Sequence, residues 1–438
     1  MKQADQIIHA RWIVPVVPYQ TVLENHALVI QREQIVALLP SSEVNSSYQA
    51  KTTQTLADHV LIPGLINAHS HTAMTLLRGL ADDLPLMRWL NDYIWPAEDK
   101  WVSEAFVADG TDLAIAEMLL SGTTCVNDMY FNPDIAAERF AKAGFRATVG
   151  LVISDNPTAW ARSQDEYFAK ALDVAEQYKS HPLINTAFAP HAPYTVSDKP
   201  FRRIATLAEQ IQIPIHVHVH ESEDEITGSL KHYGVRPIER LKNLGILGPS
   251  TIAVHLTQLN DEDIATLAKY AVNAVHCPES NLKLASGFSP VKKMLNAGIN
   301  IALGTDGAAS NNDLDMLGEM KTAALLAKAV AHDAAAVSAH RVLQMATING
   351  AKALGLANET GSLEVGKKAD IVAVNMNDVS CQPLDNPVSQ LIYSSSRNQV
   401  SDVWIAGNHL LNERQLTTVD VASTIEKAKN WRKRIHHE

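Results

Sequence analysis

The sequence predicts an α/β protein, a (β/α)₈ barrel of the TIM type with a small β-sandwich domain formed by the N- and C-terminal segments. Three observations support this fold. Eight short apolar or β-branched runs alternate with helical segments from residue 60 onward, which is the pattern of a parallel sheet built from βαβ units. Histidines and an aspartate stand at the C-terminal ends of several runs, and a closed ring of strands brings such ends together. The first 60 residues contain strand-like runs without a long helix.

The eight runs have the spacing that a barrel of this kind requires. They are residues 60–66, 123–127, 146–153, 184–189, 214–220, 251–255, 273–276 and 300–303. Helical periodicity is clear over residues 104–120, 198–210, 261–270 and 313–329. A doubly wound open sheet is the alternative, but no run is followed by the G-x-G-x-x-G turn that marks its nucleotide-binding form.

The two ends of the chain differ from its middle. Strand-like runs occupy residues 6–14, 27–30 and 34–39, and similar runs return at residues 361–375 and 403–411. We expect residues 1–59 and 361–438 to pair into the small β domain, with the barrel of residues 60–360 inserted between them.

Composition and charge narrow the function. The 438 residues are 46% hydrophobic and 19% charged, which excludes a disordered chain. The net charge of −11 has the wrong sign for binding polymeric nucleic acid through its phosphates. No stretch approaches the about 18 apolar residues of a membrane span, and the N-terminus does not resemble a signal peptide. The three cysteines are far apart in sequence, which fits the reducing cytoplasm.

A pair of histidines follows the first barrel run, in the segment NAHSH of residues 67–71. In an extended strand, residues two apart point to the same face, so His69 and His71 can place two imidazoles on one metal ion. An H-x-H pair is a weak signal, and two ordinary polar histidines at a strand end are the alternative.

Three more histidines lie at spacing two on the fifth run, and a glutamate follows them. We take His218, near the strand end, as a metal ligand and Glu221 as a general acid/base. His216 is expected deeper in the barrel and His220 at the rim or beside the ligands. Core histidines bonded to backbone carbonyls are the alternative.

The sixth and eighth runs end in His255 and in Asp306, which is part of a T-D-G segment. An aspartate after a strand commonly caps the next helix, but that helix is expected to begin nearer residue 312, which leaves Asp306 free. Five side chains then face one barrel mouth: His69, His71, His218, His255 and Asp306. Such nitrogen and oxygen donors suit Zn²⁺ or Fe²⁺ without a thiolate.

Together, these motifs resemble those of the amidohydrolase superfamily, and the resemblance runs over nearly the whole chain. Within that superfamily, longer segments resemble the deaminases that act on 5′-methylthioadenosine and S-adenosylhomocysteine. These segments are Trp89, WPAED at residues 95–99, PHAPY at residues 190–194 and CPESNLKLASG at residues 277–287.

The resemblance implies a mononuclear site whose ligands are His69, His71, His218 and Asp306. Binuclear members would carry a carboxylated lysine late in the fourth strand, and residues 186–189 contain no lysine. One divalent ion is therefore expected, Zn²⁺ ahead of Fe²⁺.

The resemblance also implies a nucleoside pocket in which Glu98 binds ribose hydroxyls while Trp89 and His191 help to hold the nucleoside. A substrate with an amino-acid tail would need a cation for its carboxylate. Arg146, which opens the third run, and Arg162 are the candidates for that cation.

The expected reaction is hydrolytic removal of the 6-amino group of adenosine-type nucleosides, which gives the inosine analogue and ammonia. A divalent cation lowers the pKa of its bound water to about 7. Asp306 is expected to take the proton, His255 to orient the nucleophile and Glu221 to protonate N1 of the ring. We expect 5′-methylthioadenosine as a substrate, and S-adenosylhomocysteine and adenosine are further candidates that the sequence does not rank.

Other interpretations stay open. A related amidohydrolase acting on guanine or an s-triazine would use the same metal site, and only the pocket around Glu98 and His191 separates the two. A non-catalytic scaffold would have no use for five ligating side chains on one rim. Deamination of nucleic acid is disfavoured by charge and by the missing P-C-x-x-C motif. Barrels of this kind often associate, which leaves a homo-oligomer open.

Overall fold

The computed structural model describes residues 1–437. In chain order, the strands are β1 (Lys2–Ile13), β2 (Leu23–Gln31), β3 (Gln34–Pro40), β4 (Tyr48–Pro63), β5 (Leu65–Ser70), β6 (Thr123–Asp128), β7 (Arg146–Ile153), β8 (Ile184–Pro190), β9 (Ile215–Val219), β10 (Thr251–His255), β11 (Asn273–His276), β12 (Ile301–Leu303), β13 (Ile371–Asn375), β14 (Val400–Ile405), β15 (Asn408–Asn412) and β16 (Gln415–Leu416).

The helices are α1 (Ser41–Ser47), α2 (Leu86–Trp89), α3 (Trp95–Trp101), α4 (Glu104–Leu120), α5 (Pro133–Ala143), α6 (Gln164–Tyr178), α7 (Asp198–Ile211), α8 (Glu223–Tyr233), α9 (Pro237–Asn243), α10 (Asp261–Lys269), α11 (Pro278–Lys283), α12 (Val291–Asn296), α13 (Met316–Ala331), α14 (Ala339–Met345), α15 (Ile348–Ala353), α16 (Pro387–Tyr393) and α17 (Val421–His437). Short 3₁₀ turns cover Thr72–Leu77, Val379–Cys381 and Arg397–Gln399, and a π-helical turn, Leu90–Ile94, joins α2 to α3.

Strands β5 to β12 form a parallel sheet in which neighbours follow one another along the chain. Hydrogen bonds close the seam between its first and last strands. The Asp306 N–H donates to the His69 carbonyl at 3.1 Å, and the Asn67 side chain bonds to Thr305 at 2.7 and 3.0 Å. Gly304 permits this approach, because a Cβ atom there would lie 2.8 Å from the His69 nitrogen. The predicted barrel is confirmed.

The remaining strands form one mixed sheet in the order β16-β15-β14-β13-β4-β1-β2-β3. Strands β1 and β4 are parallel, and the other neighbours are antiparallel. The two ends of the chain therefore pair, as the sequence predicts. Hydrogen bonds connect all eight strands, and Ile8, Leu28, Ile371 and Trp404, from four different strands, share one buried apolar cluster.

Strand β4 departs from the predicted pattern. Residues 60–66 read as the first barrel strand, whereas β4 continues in the small sheet to Pro63 and the barrel begins at Leu65. The first half of β4 is polar and largely exposed, so it carries no apolar alternation. Gly64 connects the two strands, and a Cβ atom there would lie 1.9 Å from Thr124 Oγ1. The proposed domain boundary at residue 60 thus falls inside β4.

Four helices correspond to the predicted helical segments: α4, α7, α10 and α13. Side chains fix where they start, because Ser103 accepts the Phe106 N–H and Asn260 forms a capping box with Asp263. The last of the four, α13, begins at Met316, directly after its N-cap residue Asp315. Within residues 1–437, no helix combines the length and the apolar character that crossing a membrane requires.

The C-terminal segment ends on the barrel, not in the small sheet. Helix α17 packs against α4, where Trp431 Nε1 donates to Asp109 at 3.0 Å and its ring meets Phe106 edge to face. The last residues of the predicted β domain therefore form a helix that covers the barrel.

Candidate active site

Four side chains converge at the C-terminal end of the barrel. His69 and His71 come from the end of β5, His218 from β9 and Asp306 from the residues after β12. The Nε2 atoms of His69 and His71 each lie 3.2 Å from Asp306 Oδ1. His218 Nε2 lies 3.2 Å from His69 Nε2. These are the four side chains that the sequence predicts as metal ligands.

The spacing of these donors fits one tetrahedral cation. Zinc–nitrogen bonds of about 2.0–2.1 Å place neighbouring ligands of a tetrahedron about 3.3 Å apart, and three donor pairs here are 3.2 Å apart. Three imidazoles and a carboxylate are ligands that zinc accepts. Both candidate metal-binding groups found within residues 1–437 contain His69, so they describe one centre.

The second nitrogen of each ligand histidine already has a partner. His71 and His218 each donate through Nδ1 to a backbone carbonyl, and His69 Nδ1 lies 2.9 Å from His216 Nε2. Such contacts orient the rings and leave Nε2 for a cation. Burial lowers the pKa of His69 to about 3 and holds that of His218 well below its usual range, so both rings are neutral.

The two oxygens of the Asp306 carboxylate have different partners. Oδ1 faces the histidines and accepts the Gly307 N–H at 2.8 Å. Oδ2 accepts the hydroxyl groups of Ser280 at 2.7 Å and Ser310 at 2.8 Å. Burial alone would raise the pKa of Asp306, but hydrogen bonds from the ligand histidines outweigh it and hold the pKa well below its usual range.

Glu221 and His255 face each other beside the ligands. Glu221 Oε2 lies 3.7 Å from His255 Nε2, and His255 Nδ1 lies 2.9 Å from Asn281 Oδ1. Glu225 accepts the Glu221 N–H at 2.9 Å, and Thr257 donates to the Glu221 carbonyl at 2.7 Å. Burial raises the pKa of Glu221, which helps it to keep a proton.

A cavity of about 570 Å³ opens above these residues, a usual size for a small-molecule site. Its wall includes Trp89, Glu98 and His191, the predicted substrate-binding residues, together with Tyr130 and Arg162. Burial raises the pKa of Glu98 to about 7, and the neighbouring Tyr130 hydroxyl partly offsets this effect.

The π-helical turn between α2 and α3 shapes one wall of the cavity. In this turn the Trp95 N–H donates to the Leu90 carbonyl, five residues back. Pro96 follows and has no N–H to continue regular α-helical bonding. Turns of this kind are frequent at functional sites, and here both Trp89 and Glu98 contribute to the wall.

Arg146 does not belong to the site. It opens β7 and so lies at the N-terminal end of the barrel, away from the cavity. Its side chain is 1% exposed and pairs with Asp370, with Nε 2.8 Å from Oδ2. The prediction that Arg146 binds a substrate carboxylate is therefore wrong, whereas Arg162 lines the cavity.

The His220 side chain points away from the barrel mouth, and its Nε2 accepts the Ile238 N–H at 3.2 Å.

Four residues that contact or line the site are not among the site residues predicted from the sequence. Ser280 and Asn281 lie inside the matched segment of residues 277–287, so their contacts with Asp306 and His255 could have been suspected there. Ser310 and Tyr130 lie in connecting segments, where sequence spacing does not indicate which way a side chain points.

Comparison with known proteins agrees with this geometry. The amidohydrolase family model matches residues 60–410. The 5-methylthioadenosine/S-adenosylhomocysteine deaminase of Teredinibacter turnerae is 51% identical over 98% of each chain. The crystal structure of an adenosine deaminase from Xanthomonas campestris with bound zinc is 51% identical, covers 100% of both chains and superposes with a TM-score of 0.99.

A more distant structure shares the fold. Atrazine chlorohydrolase TrzN from Arthrobacter aurescens, complexed with zinc, superposes with a TM-score of 0.89 over 97% of this chain and 99% of its own, at 22% identity. The family match spans most of the chain, and the relatives of about half identity span nearly all of it. This chain therefore belongs to the amidohydrolase family.

Proposed function

We propose that this protein hydrolyses the 6-amino group of adenosine-type nucleosides and releases the inosine analogue and ammonia. The proposed substrate is 5′-methylthioadenosine, followed by S-adenosylhomocysteine and adenosine. One observation carries the proposal: donor atoms 3.2 Å apart converge beside Glu221 and His255, in a cavity whose wall also holds Glu98. The names of relatives that are half identical support the same chemistry.

We propose that one divalent ion, Zn²⁺ ahead of Fe²⁺, is held by His69, His71, His218 and Asp306. The zinc in the Xanthomonas campestris structure supports this choice. A cation bound there supplies Lewis acidity, which lowers the pKa of water to about 7. With a cation bound, the three histidines would serve as neutral ligands, His71 by giving up the proton that Asp306 favours in the free site, and the carboxylate would add one negative charge.

Roles in the reaction are proposed for three side chains. Asp306 accepts a proton from the attacking water, and His255 orients that water through Nε2, because its Nδ1 is engaged by Asn281. Glu221 carries a proton to N1 while the water oxygen adds to C6, so the ring nitrogen does not build up negative charge. Asp306 then passes its proton to the amino group and the C6 hydroxyl returns a proton to Glu221 as the C6–N bond breaks, so ammonia leaves and the ring keeps C6=O and N1–H.

The cavity wall is proposed to select the substrate. Glu98 accepts hydrogen bonds from ribose hydroxyls, while Trp89 and His191 pack against the nucleoside. Arg162 is the proposed partner for the carboxylate of a homocysteine tail. No ion pair engages its guanidinium within residues 1–437, and it lines the cavity.

We further propose that the protein works in the cytoplasm. Cys125, Cys277 and Cys381 are all free thiols in the interior, and free cysteines are usual in a reducing compartment.

A panel of adenosine derivatives varied at the 5′ position tests the proposed function. Purified protein is mixed with each compound, and ammonia release is followed together with the absorbance change that accompanies loss of the 6-amino group. We expect the highest kcat/KM with a thioether at the 5′ position. Turnover of guanine or an s-triazine without turnover of any adenosine derivative would reject the proposal in favour of a related hydrolase, and no turnover of any compound would favour a scaffold.

A further inference from the structure

Two side chains on the cavity wall carry buried polar atoms that form no well-aligned hydrogen bond within residues 1–437. They are Trp89, through Nε1, and Tyr130, through its hydroxyl oxygen. Each side chain is 5% exposed. Buried polar groups in folded proteins nearly always have a partner, so an unpaired donor facing a cavity is available to whatever binds there.

Tyr130 is the one that the predicted site did not include. It lies two residues beyond the end of β6, at the C-terminal rim of the barrel, beside the Glu98 carboxyl. Burial and the nearby Glu98 charge raise the pKa of Tyr130 well above its usual range, so the phenol keeps its proton. A neutral donor and a carboxyl acceptor therefore stand side by side on the wall.

We propose that Tyr130 and Glu98 together bind the sugar edge of the nucleoside, with the Tyr130 hydroxyl donating to one ribose oxygen and Glu98 accepting from the neighbouring hydroxyl. The inference rests on the proposed function, because it needs a ribose in this cavity. A vicinal diol offers both acceptor oxygens and donor hydrogens, and a carboxylate alone would engage only the hydrogens. Tyr130 is thereby a specificity residue that favours ribosides over deoxynucleosides.

A purely structural role for Tyr130 gives a different expectation. If the ring only fills the wall, phenylalanine fits equally well, and both Tm and kcat/KM stay unchanged. The proposed role instead predicts a change in kcat/KM without a matching loss of Tm. Tyr130→Phe leaves Tm unchanged, because no well-aligned hydrogen bond is lost, but it weakens the binding of ribosides.

The test compares the wild-type protein with Tyr130→Phe on adenosine, 2′-deoxyadenosine and 3′-deoxyadenosine, with Tm and bound zinc per chain measured in parallel. We expect kcat/KM for adenosine to fall about tenfold, mainly through KM. For the deoxynucleoside that lacks the contacted hydroxyl, we expect a change within about twofold. Tyr178→Phe, on the outer helix α6, is the matched control and should behave like the wild type.

Equal losses on all three nucleosides, or an unchanged kcat/KM for adenosine, would overturn the role of Tyr130 and leave the proposed function intact. If the wild-type protein itself released no ammonia from any adenosine derivative, the proposed function would fail, and the inference would fail with it. Turnover by the wild type thus separates the two failures.

Discussion

Asp306 and His255 both adopt left-handed backbone conformations, with φ of 63° and 74°. For residues other than glycine this costs about 1–3 kcal/mol, and it persists where surrounding contacts hold the residue in place. Ser280 and Ser310 hold the carboxylate of the first residue, and Asn281 holds the ring of the second. The strained conformations therefore turn these side chains into the barrel mouth.

Glu221 gives the first prediction at the residue scale. Glu221→Gln keeps nearly the same shape but removes the titratable carboxyl, so we expect kcat to fall about a hundredfold or more while bound zinc is retained. Steady-state kinetics and metal analysis provide the two readouts. Glu223→Gln, an exposed neighbour on α8, is the control. An unchanged kcat in Glu221→Gln would remove this residue from the mechanism.

Arg162 and Arg146 give a second prediction, because the sequence offered both as partners of a carboxylate tail. Arg162→Ala should lower kcat/KM for S-adenosylhomocysteine about tenfold or more, since it deletes a charge-assisted hydrogen bond. 5′-Methylthioadenosine has no carboxylate and serves as the internal control. Equal losses on the two substrates would show that Arg162 does not bind the tail.

At this scale, the sequence predicts which side chains meet at the barrel mouth better than it predicts what surrounds them. The alternation of strand residues places His69 and His71 on one face, and strand ends bring His218 and Asp306 to the same mouth. The position of Arg146 in the sequence already argues against substrate binding. A residue that opens a parallel strand lies at the N-terminal end of the barrel, opposite the cavity. Ser310 could not be predicted, since its direction depends on a turn without a repeating period.

At the scale of elements, regular helices are easier to predict than the strand that joins the two sheets. Helix α4 begins and ends where its periodicity indicates. Strand β4 was missed over its first half, because threonine, glutamine and lysine side chains there lie at the surface. The π-helical turn has no signal beyond the proline that follows it, since its hydrogen bonds depend on backbone geometry.

The first turn of helix α8 gives a third prediction. Ser222 caps the helix, and Glu225 in the first turn reaches back to accept the Glu221 N–H. Glu225→Ala leaves that N–H buried and unpaired, so we expect kcat to fall about tenfold. Glu225→Gln keeps an acceptor oxygen and should stay within about threefold of the wild type. Equal losses in both variants would contradict a role through this hydrogen bond.

The same pair of variants has a pH signature. Burial raises the pKa of Glu225 from 4.5 to about 8, so the folded state holds a proton that the unfolded state has lost between these values. The stability contributed by this group is complete below the unfolded pKa and is lost as pH rises toward about 8. Because glutamine does not titrate, we expect the Tm of Glu225→Gln relative to the wild type to increase from about pH 5 to about pH 8. A constant difference would mean that Glu225 ionises normally.

At the scale of the molecule, a buried ion pair joins the barrel to the small sheet. Arg146 at the start of β7 binds Asp370 through two nitrogens, at 2.8 and 3.2 Å. The Ala406 N–H and the Thr360 hydroxyl also bond to that carboxylate. The residue that the sequence suggested for substrate binding therefore links the two sheets instead.

This link gives a fourth prediction. Arg146→Met leaves Asp370 charged and buried, which should lower the free energy of unfolding by about 3–5 kcal/mol. Because the pair lies at the far end of the barrel from the cavity, kcat/KM for both proposed tailed and untailed substrates should stay within about twofold. Thermal or denaturant unfolding measures the first effect. A selective loss of activity on S-adenosylhomocysteine would contradict the structural role.

Most of the overall architecture could be predicted. Eight apolar runs that alternate with helical segments, and strand-like runs at both ends of the chain, are compatible with few arrangements. Closure of the barrel could be predicted as well, from the histidines and the aspartate at the strand ends, but the individual contacts that form the seam, such as those of Asn67 with Thr305, could not. The packing of α17 on the barrel was also missed, because amphipathic helices carry no record of the surface that they cover.

We infer that deamination by this protein depends on one cation held by the four donors at the barrel mouth. The most direct measurement strips the protein of metal with a chelator and adds Zn²⁺ back stepwise, while bound zinc and ammonia release from 5′-methylthioadenosine are recorded together. We expect activity to rise in proportion to bound zinc and to reach its plateau at one ion per chain. Full activity in the metal-free protein, or a plateau only at two ions per chain, would contradict it.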